Sequence, residues 1–373
     1  AGSLKVGESP LRGLLQDASG YGEPETVATE PELRWATQPY AARVSCEESV
    51  EEQTRWSPRS AAVLLFPGAG AQRPGMGRNL LRVPAARDLY EFASSVVGWD
   101  VARACSEGSA ETLARHAHTA TLATALAALE RARDERPAAV QRARAAAGAG
   151  AGELAALVFA DALPLERALR LAELLDAGER AAAAAAPLAA LDLRLGPAAA
   201  LPHALLRARE HAAARGVEAP VCAVAHHVHA ARKIVAGDEQ ALRFVREHGA
   251  QFGVRAAREA APGVPRALHT ARGAAAEAAL RQALAGVPLR APRVRVVSCT
   301  EARAHGDAAA LARALPRLAS RAVRWQQTLA ALYSRPRGAS FPLTLVLAPA
   351  GEARAALRRV NARAWDCSLA VDD

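Results

Sequence analysis

A chain of 373 residues is longer than one ordinary single-core domain and suits two packed units, or one large domain carrying an insertion. Hydrophobic residues make up 51% of it, enough for a sizeable interior, so wholesale disorder is excluded. No apolar run reaches the roughly 18 residues of a spanning helix, and five scattered cysteines (Cys46, Cys105, Cys222, Cys299, Cys367) exclude a dense disulfide framework and fit a reducing compartment.

Alanine supplies 97 residues, and only Lys5 and Lys233 are lysines, so 45 of the 47 basic side chains are arginine. The net charge of +9 is unevenly placed. Residues 1–60 hold 6 basic and 10 acidic side chains, a net of −4, which leaves 41 − 28 = +13 on the remainder. A basic body attracts polyanions such as RNA, coenzyme A phosphates or an acidic carrier protein, although an arginine-rich solvated surface gives the same count.

Residues 1–60 are rich in Glu, Ser, Pro and Gly without a sustained period, and read as an acidic, low-order N-terminal extension. They are too acidic for a transit peptide. Order is expected from Ala61-Ala-Val-Leu-Leu-Phe66, an apolar run ending at Pro67-Gly68, which predicts a buried strand feeding a glycine turn. Helical periodicity follows at about 78–97, 109–134 and 152–181. Near Pro187 the pattern changes: strands at Leu188–Leu195, Val221–His226, Lys233–Val235 and Phe252–Arg255 alternate with helices at 199–215 and 238–248. That order, βαββαβ, is that of a small ferredoxin-like unit over 187–258. After Pro265 strands are expected near 293–298 and 343–347, and helices near 273–285, 307–319 and 352–360. The whole is an α/β protein: a large parallel-sheet subdomain from 61–186 and 259–373, interrupted by the small unit.

The landmark for chemistry is Ala147-Gly148-Ala149-Gly150-Ala151-Gly152-Glu153-Leu154. Its outline is the strand-to-helix elbow G-x-S-x-G, in which a strained turn lifts a serine above the sheet and aims it at an acyl group. Gly148 and Gly152 are the outer glycines. The centre is Gly150, which carries no nucleophile.

The chain here resembles the malonyl-CoA:acyl carrier protein transacylases, the animal mitochondrial type above all, over roughly residues 61–373. The resemblance rests on Leu65-Phe-Pro-Gly-Ala-Gly-Ala-Gln72 with Gly75-Met-Gly77, and on the elbow with Glu153-Leu-Ala-Ala-Leu157. Further matches are Pro220-Val-Cys222, Ala241-Leu-Arg-Phe244, Ala267-Leu-His-Thr270, Val323-Arg-Trp325 with Thr328, and Ala364-Trp365. It implies a hydrolase-like α/β subdomain with an inserted ferredoxin-like one.

Carried across one by one, the family's working residues land unevenly. The serine that takes the malonyl group falls on Gly150, and the arginine that pairs with malonate's free carboxylate on or near Leu175. The oxyanion region falls on Ala69 and Ala151, where backbone N–H groups survive the change of side chain. The general-base histidine is His269, preceded by Pro265-Arg266 where the family has Ser-Gly, a change expected to distort its loop. The family's Asn in the inserted unit becomes His226, its late Ser-Asn-Val reads Ser298-Cys299-Thr300, and its G-P-G turn reads Ala348-Pro349-Ala350. No serine lies between Ser109 and Ser298, so no neighbour replaces the missing one by a shift of register. A histidine base without a nucleophile cannot run a two-step transfer through an acyl-enzyme.

Other constellations are weaker. Cys222 with His226, His227 and His229 lacks a second pair at ligand spacing, and His116 with His118 stand at i, i+2 on a helix, so no metal site is expected. Gly68-x-Gly70 lacks the third glycine of a dinucleotide fingerprint, because Arg73 stands there, so no cofactor is expected. Phosphate contacts are open to Arg142, Arg144, Arg207, Arg209, Arg358, Arg359 and Arg363. These readings combine into an expectation: a catalytically inactive homologue (a pseudoenzyme, not an enzyme) in the mitochondrial matrix. It would serve as a structural subunit of a large assembly, foremost the mitochondrial ribosome, through RNA phosphate contacts. The alternatives are a non-catalytic module binding acyl carrier protein or coenzyme A, and residual malonyl-CoA acyltransferase or hydrolase activity through water activated by His269.

Overall fold

The computed structural model describes residues 61–336 and 338–372; the acidic segment 1–60 lies outside them. Two sheets organise the chain. The first has five parallel strands in the order β7 (Arg295–Val297), β2 (Ala143–Gly148), β1 (Ala62–Phe66), β8 (Leu343–Leu347), β9 (Ser368–Val371). Its centre is β1 (Ala62–Phe66), whose five residues are all buried. A run of Val, Leu, Leu and Phe is what a strand covered on both faces requires.

Beside β1 lies β2 (Ala143–Gly148), running in register from Val63 with Ala145 to Phe66 with Gly148. Alanine is a poor strand former, and this Ala-rich segment was not expected as a strand in its own right. Its short side chains suit a strand between helix layers, where tertiary packing overrides propensity. The layers are α1 (Pro84–Val97), α2 (Ala117–Glu135), α3 (Ala151–Phe159) and α4 (Leu165–Ala185). The long helical stretches read from periodicity are each cut. His116 separates Ala110–Arg115 from α2, and the turn through Asp161, at φ +55°, separates α3 from α4.

The second sheet is antiparallel, in the order β4-β5-β3-β6, built from β3 (Leu188–Leu195), β4 (Cys222–His229), β5 (Arg232–Asp238) and β6 (Val254–Glu259). With α5 (Leu201–Ala213) and α6 (Glu239–His248) the chain order is βαββαβ. One face carries Leu191, Leu193, Val224 and Val235 against Leu201, Leu205, Leu242 and Val245 of the helices. The other carries Ala190, Ala225, Ile234 and Ala236 towards the first sheet. Alternation of this kind is a half-buried strand's period-two pattern. In β4 the register shifts between Val224 and His226, a bulge that turns His226 and Val228 to the second face.

Beyond the second sheet come α7 (Ala274–Ala283), β7 (Arg295–Val297), α8 (Trp325–Leu332), β8 (Leu343–Leu347), α9 (Gly351–Val360) and β9 (Ser368–Val371). Helix α8 and strand β9 had no clear signal in the sequence. Three seams join the sheets. The backbone of Val323 pairs with β4, accepting from the His227 N–H at 2.7 Å and donating to the Ala225 carbonyl at 2.8 Å. Arg232 holds Asp192 at 2.8 Å and reaches Glu352 of α9 at 2.6 Å. Arg272 meets the buried Asp238 at 2.8 Å.

Glu153, in the first turn of α3, is 1% exposed and accepts hydrogen bonds from the Cys299 backbone N–H and, at 2.7 Å, from His305 Nε2. It ties the elbow helix to the chain that follows β7. Glu153→Ala leaves both donors buried without an acceptor, and is expected to lower the unfolding free energy by about 3 kcal/mol. Urea unfolding with an unchanged denaturant slope checks it.

Candidate active site

The elbow is an outcome of backbone crowding. A Cβ on Gly148 would lie 1.9 Å from the Gly152 carbonyl carbon, and one on Gly152 would lie 2.2 Å from the Pro67 oxygen. Only glycine fits either place, because β1, β2 and the start of α3 converge there. Between them Gly150 adopts φ +53°, ψ −121°, a region costly to any residue with a side chain. The space above it ends at the His269 ring. A Cβ on Gly150 would stand 3.4 Å from His269 Nε2 and 3.6 Å from its Cε1, ordinary contact distances.

His269 is placed by its loop, itself held at several points. Glu179 of α4 accepts the N–H groups of Arg266, Ala267 and Leu268. The His269 N–H donates to the Ala319 carbonyl at 2.7 Å, and φ at His269 is +64°. The expected distortion at Pro265-Arg266 is therefore met by a carboxylate that fastens this segment. Burial pushes the imidazole pKa well below its usual value, and the rings of His226 and His118 push it further. The carbonyls of Arg321 and Leu318 act the other way, although Nδ1 makes no hydrogen bond of good geometry. The ring is thus a neutral base near pH 7, with Nε2 facing the elbow.

The remaining residues read from the sequence are distributed around this centre. Ala69 lines a cavity of about 140 Å³ between the two sheets, with Gly68, Gly70 and Ala149 on one wall and His226, Val228 and Ile234 on the other. Ala151 is the first residue of α3, where helical N–H groups have no carbonyl four residues back. Leu175 is 1% exposed, in the middle of α4. Cys299 packs under the elbow with its thiol beside the Gly150 backbone. Burial, then the nearby Glu153 carboxylate, raises its pKa far above the ordinary range, so it is no thiolate nucleophile.

Cys222, His226, His227 and His229 do not gather. Burial pushes the Cys222 thiol up to about 12, and among the described residues the one set of three or more ligand-type groups within 4.8 Å is His116, Glu173 and Asp176. Its carboxylates already accept hydrogen bonds from Trp99, Thr119 and His118. The arginines singled out for phosphate contact lie apart: Arg142 and Arg144 at the start of β2, Arg207 and Arg209 on α5, Arg358 and Arg359 on α9. Arg207 is paired with Glu210 at 2.7 Å, while Arg358 and Arg363 lie over the rings of Trp365 and Phe341.

Sequence patterns did not point to three features of the site. Asp176 accepts from the His118 N–H and Nδ1 and from the Thr119 N–H and hydroxyl. His226 and His269 stand edge to face with ring centres 4.9 Å apart. Arg232, on the cavity wall, is engaged by Asp192 and Glu352. Each depends on elements distant in the chain, for which spacing offers no signal.

A parallel sheet bearing a glycine elbow, a histidine poised over it and a βαββαβ unit closing the cleft define an acyltransferase-type α/β protein. No protein-family model matches the chain. It is 38% identical over 316 residues to the probable mitochondrial malonyl-CoA-acyl carrier protein transacylase of Drosophila melanogaster, covering 84% of this chain and 83% of that one. To the human mitochondrial malonyl-CoA-acyl carrier protein transacylase it is 34% identical over 330 residues, covering 86% and 84%. A crystal structure of malonyl-CoA:acyl carrier protein transacylase from Xanthomonas oryzae superposes with a TM-score of 0.72 at 27% identity, over 84% of this chain and 94% of that one. The chain belongs to the malonyl-CoA:acyl carrier protein transacylase family. The relatives are named as mitochondrial, which points to the mitochondrion. They also correct the expectation that this chain is not an enzyme: they bear the names of transacylases, an enzyme family.

Because the space above Gly150 accepts a side chain, Gly150→Ser is expected to fold and to take up an acyl group from a thioester, gaining the mass of one acyl unit by intact-protein mass spectrometry. The strained backbone costs the variant about 1–3 kcal/mol. Since burial holds His269 neutral, the rate of labelling should stay level from about pH 8 to about pH 6, where an ordinary histidine base would lose over half its activity. Rapid-quench labelling across that range checks the sign.

Proposed function

We propose that the protein processes acyl thioesters of coenzyme A or of an acyl carrier protein, with His269 as general base towards a nucleophile seated above Gly150. The observation that carries this reading is the 3.4 Å separation between His269 Nε2 and the place of the missing Cβ. At that separation His269 Nε2 is within reach of a water or an incoming thiol held beside the elbow. His269 Nε2 takes its proton as the nucleophile's oxygen or sulfur bonds to the thioester carbonyl carbon. The carbonyl oxygen takes up negative charge beside the N–H groups of Ala69 and Ala151. Collapse of the tetrahedral species breaks the C–S bond, and the departing thiolate recovers the proton from His269. With water the products are a free acid and a thiol; with a second thiol the acyl group is transferred in one displacement.

The family name supports malonyl-CoA and acyl carrier protein as substrate and partner. The +13 outside residues 1–60 supports docking of an acidic carrier protein. A second reading, a place in a large mitochondrial assembly such as the ribosome, rests on that same charge. Co-sedimentation with ribosomal RNA that falls as salt rises would favour it, whereas retention of carrier protein through size-exclusion favours the first.

His269→Ala is expected to lower thioester turnover by about 10²-fold, read as thiol release from malonyl-CoA and as acyl transfer to carrier protein. Turnover that is undetectable in the natural protein, or unchanged in the variant, would remove the reading.

A further inference from the structure

The direction of the His269 ring is set by the segment before it. Pro265 has no N–H to give, and the three residues that follow send successive N–H groups to one acceptor. Arg266, Ala267 and Leu268 donate to the Glu179 carboxylate of α4 at 2.7, 3.1 and 3.0 Å. Ala267 and Leu268 are fully buried, so without that carboxylate each N–H would be an orphan costing about 1–3 kcal/mol. A row of backbone N–H groups closing on one anion is a nest, and bonds to a charged acceptor are stronger than neutral ones.

Glu179 reaches this segment because a glycine precedes it. A Cβ on Gly178 would stand 2.6 Å from the Ala276 Cβ of α7 and 3.9 Å from Leu268 Cδ2, so α4 lies directly against both. After the base, the Thr270 hydroxyl donates to the Ala267 carbonyl at 2.6 Å and accepts the Arg272 N–H at 3.2 Å. His269 lies between these two anchors at φ +64°, in the left-handed region. That conformation costs a residue with a side chain about 1–3 kcal/mol and persists only where its surroundings over-determine it. Release of the carboxylate would free the chain one to three residues before the ring, where a small backbone rotation swings Nε2 off the elbow.

We propose that Glu179 is a positioning residue: its carboxylate, seated in the nest of residues 266–268, fixes the backbone that carries His269 and so sets the aim of Nε2 at the elbow. The catalytic consequence rests on the reading of the cleft as a thioester site; the geometric one does not. Glu179 acts through the ring and not on the reacting atoms. Its effect is large for a remote residue, because a misplacement of about 1 Å in a reacting group can cost about 10²-fold in rate.

Two readouts on the full chain test this, one of them independent of turnover. In NMR spectra of histidine-labelled protein, the His269 Cε1–H signal, assigned by its loss in His269→Ala, is expected to move or broaden in Glu179→Ala. It should do so less in Glu179→Gln, which keeps one accepting oxygen without the charge and carries both readouts should the alanine variant not fold. With malonyl-CoA as the thioester, Glu179→Ala should lower kcat about tenfold with KM within about twofold, and Glu179→Gln should fall between it and the natural protein. In the His269→Ala background Glu179→Ala should cost less than about twofold more, since a residue acting through the ring has nothing left to position. An unmoved His269 signal in the folded variants, an unchanged kcat, or the same loss with and without His269 would overturn the positioning role. A ring signal that moves in a protein releasing no thiol would remove the thioester reading and uphold the hold of Glu179 on His269.

Discussion

The site depends on one close approach. Three backbone segments, the end of β1, the end of β2 and the start of α3, meet with so little space that Gly148 and Gly152 cannot carry a Cβ. This contact places the first N–H groups of α3 beside the Pro67–Ala69 turn and forces position 150 into φ +53°. Everything the cleft can do to a carbonyl group follows from that crowding, since it sets where an oxyanion would find donors. It also explains why β2 is mostly alanine. Larger side chains on it would hold α3 away from β1 and open the turn.

The second sheet completes the cleft through connections of a different kind. Its helices bury one face within the unit, and the other face meets the large sheet through a backbone pairing at Val323 and the ion pairs Arg232–Glu352 and Arg272–Asp238. Arg232 is the more telling of these, because it lies on the cavity wall with only 17% of its side chain exposed and is neutralised on both sides. A cation so placed positions Asp192 and Glu352, and its own charge is already spent on them. The bulge in β4 sends His226 into the space that remains.

Much of the fold was legible from the sequence, and for stated reasons. β1, β3 and the helices of the small unit announce themselves by uninterrupted or alternating apolar residues, and the order βαββαβ follows from them. The elbow was legible from its three glycines alone. What stayed hidden was either too alanine-rich to have a period, as in β2, or too short, as in β9. The breaks at His116 and Asp161 interrupt helices whose side chains continue the apolar pattern across them. In the site, Gly150 and His269 could be placed because motifs surround them. The Asp176–His118 pair and the Glu179 clamp link residues 58 and roughly 90 positions apart, with no local pattern to announce either.

Gly150 bears on how the elbow is held. Where a serine stands in such a turn, its strained backbone could be credited to the catalytic side chain. Here no side chain demands it, and glycine takes this conformation without strain, yet among the many φ and ψ open to it this is the one adopted. The turn is therefore set by its neighbours: Gly148 against Gly152, Gly152 against Pro67, and the bond from the Ala149 N–H to the Phe66 carbonyl. The geometry that would activate a hydroxyl exists before any hydroxyl is present, so under the proposed function an incoming water or thiol would meet a preorganised base and preorganised donors. Preorganisation of that kind stabilises charge without reorganisation at the moment of reaction, and in the proposed mechanism that part would lie in the backbone rather than in residue 150.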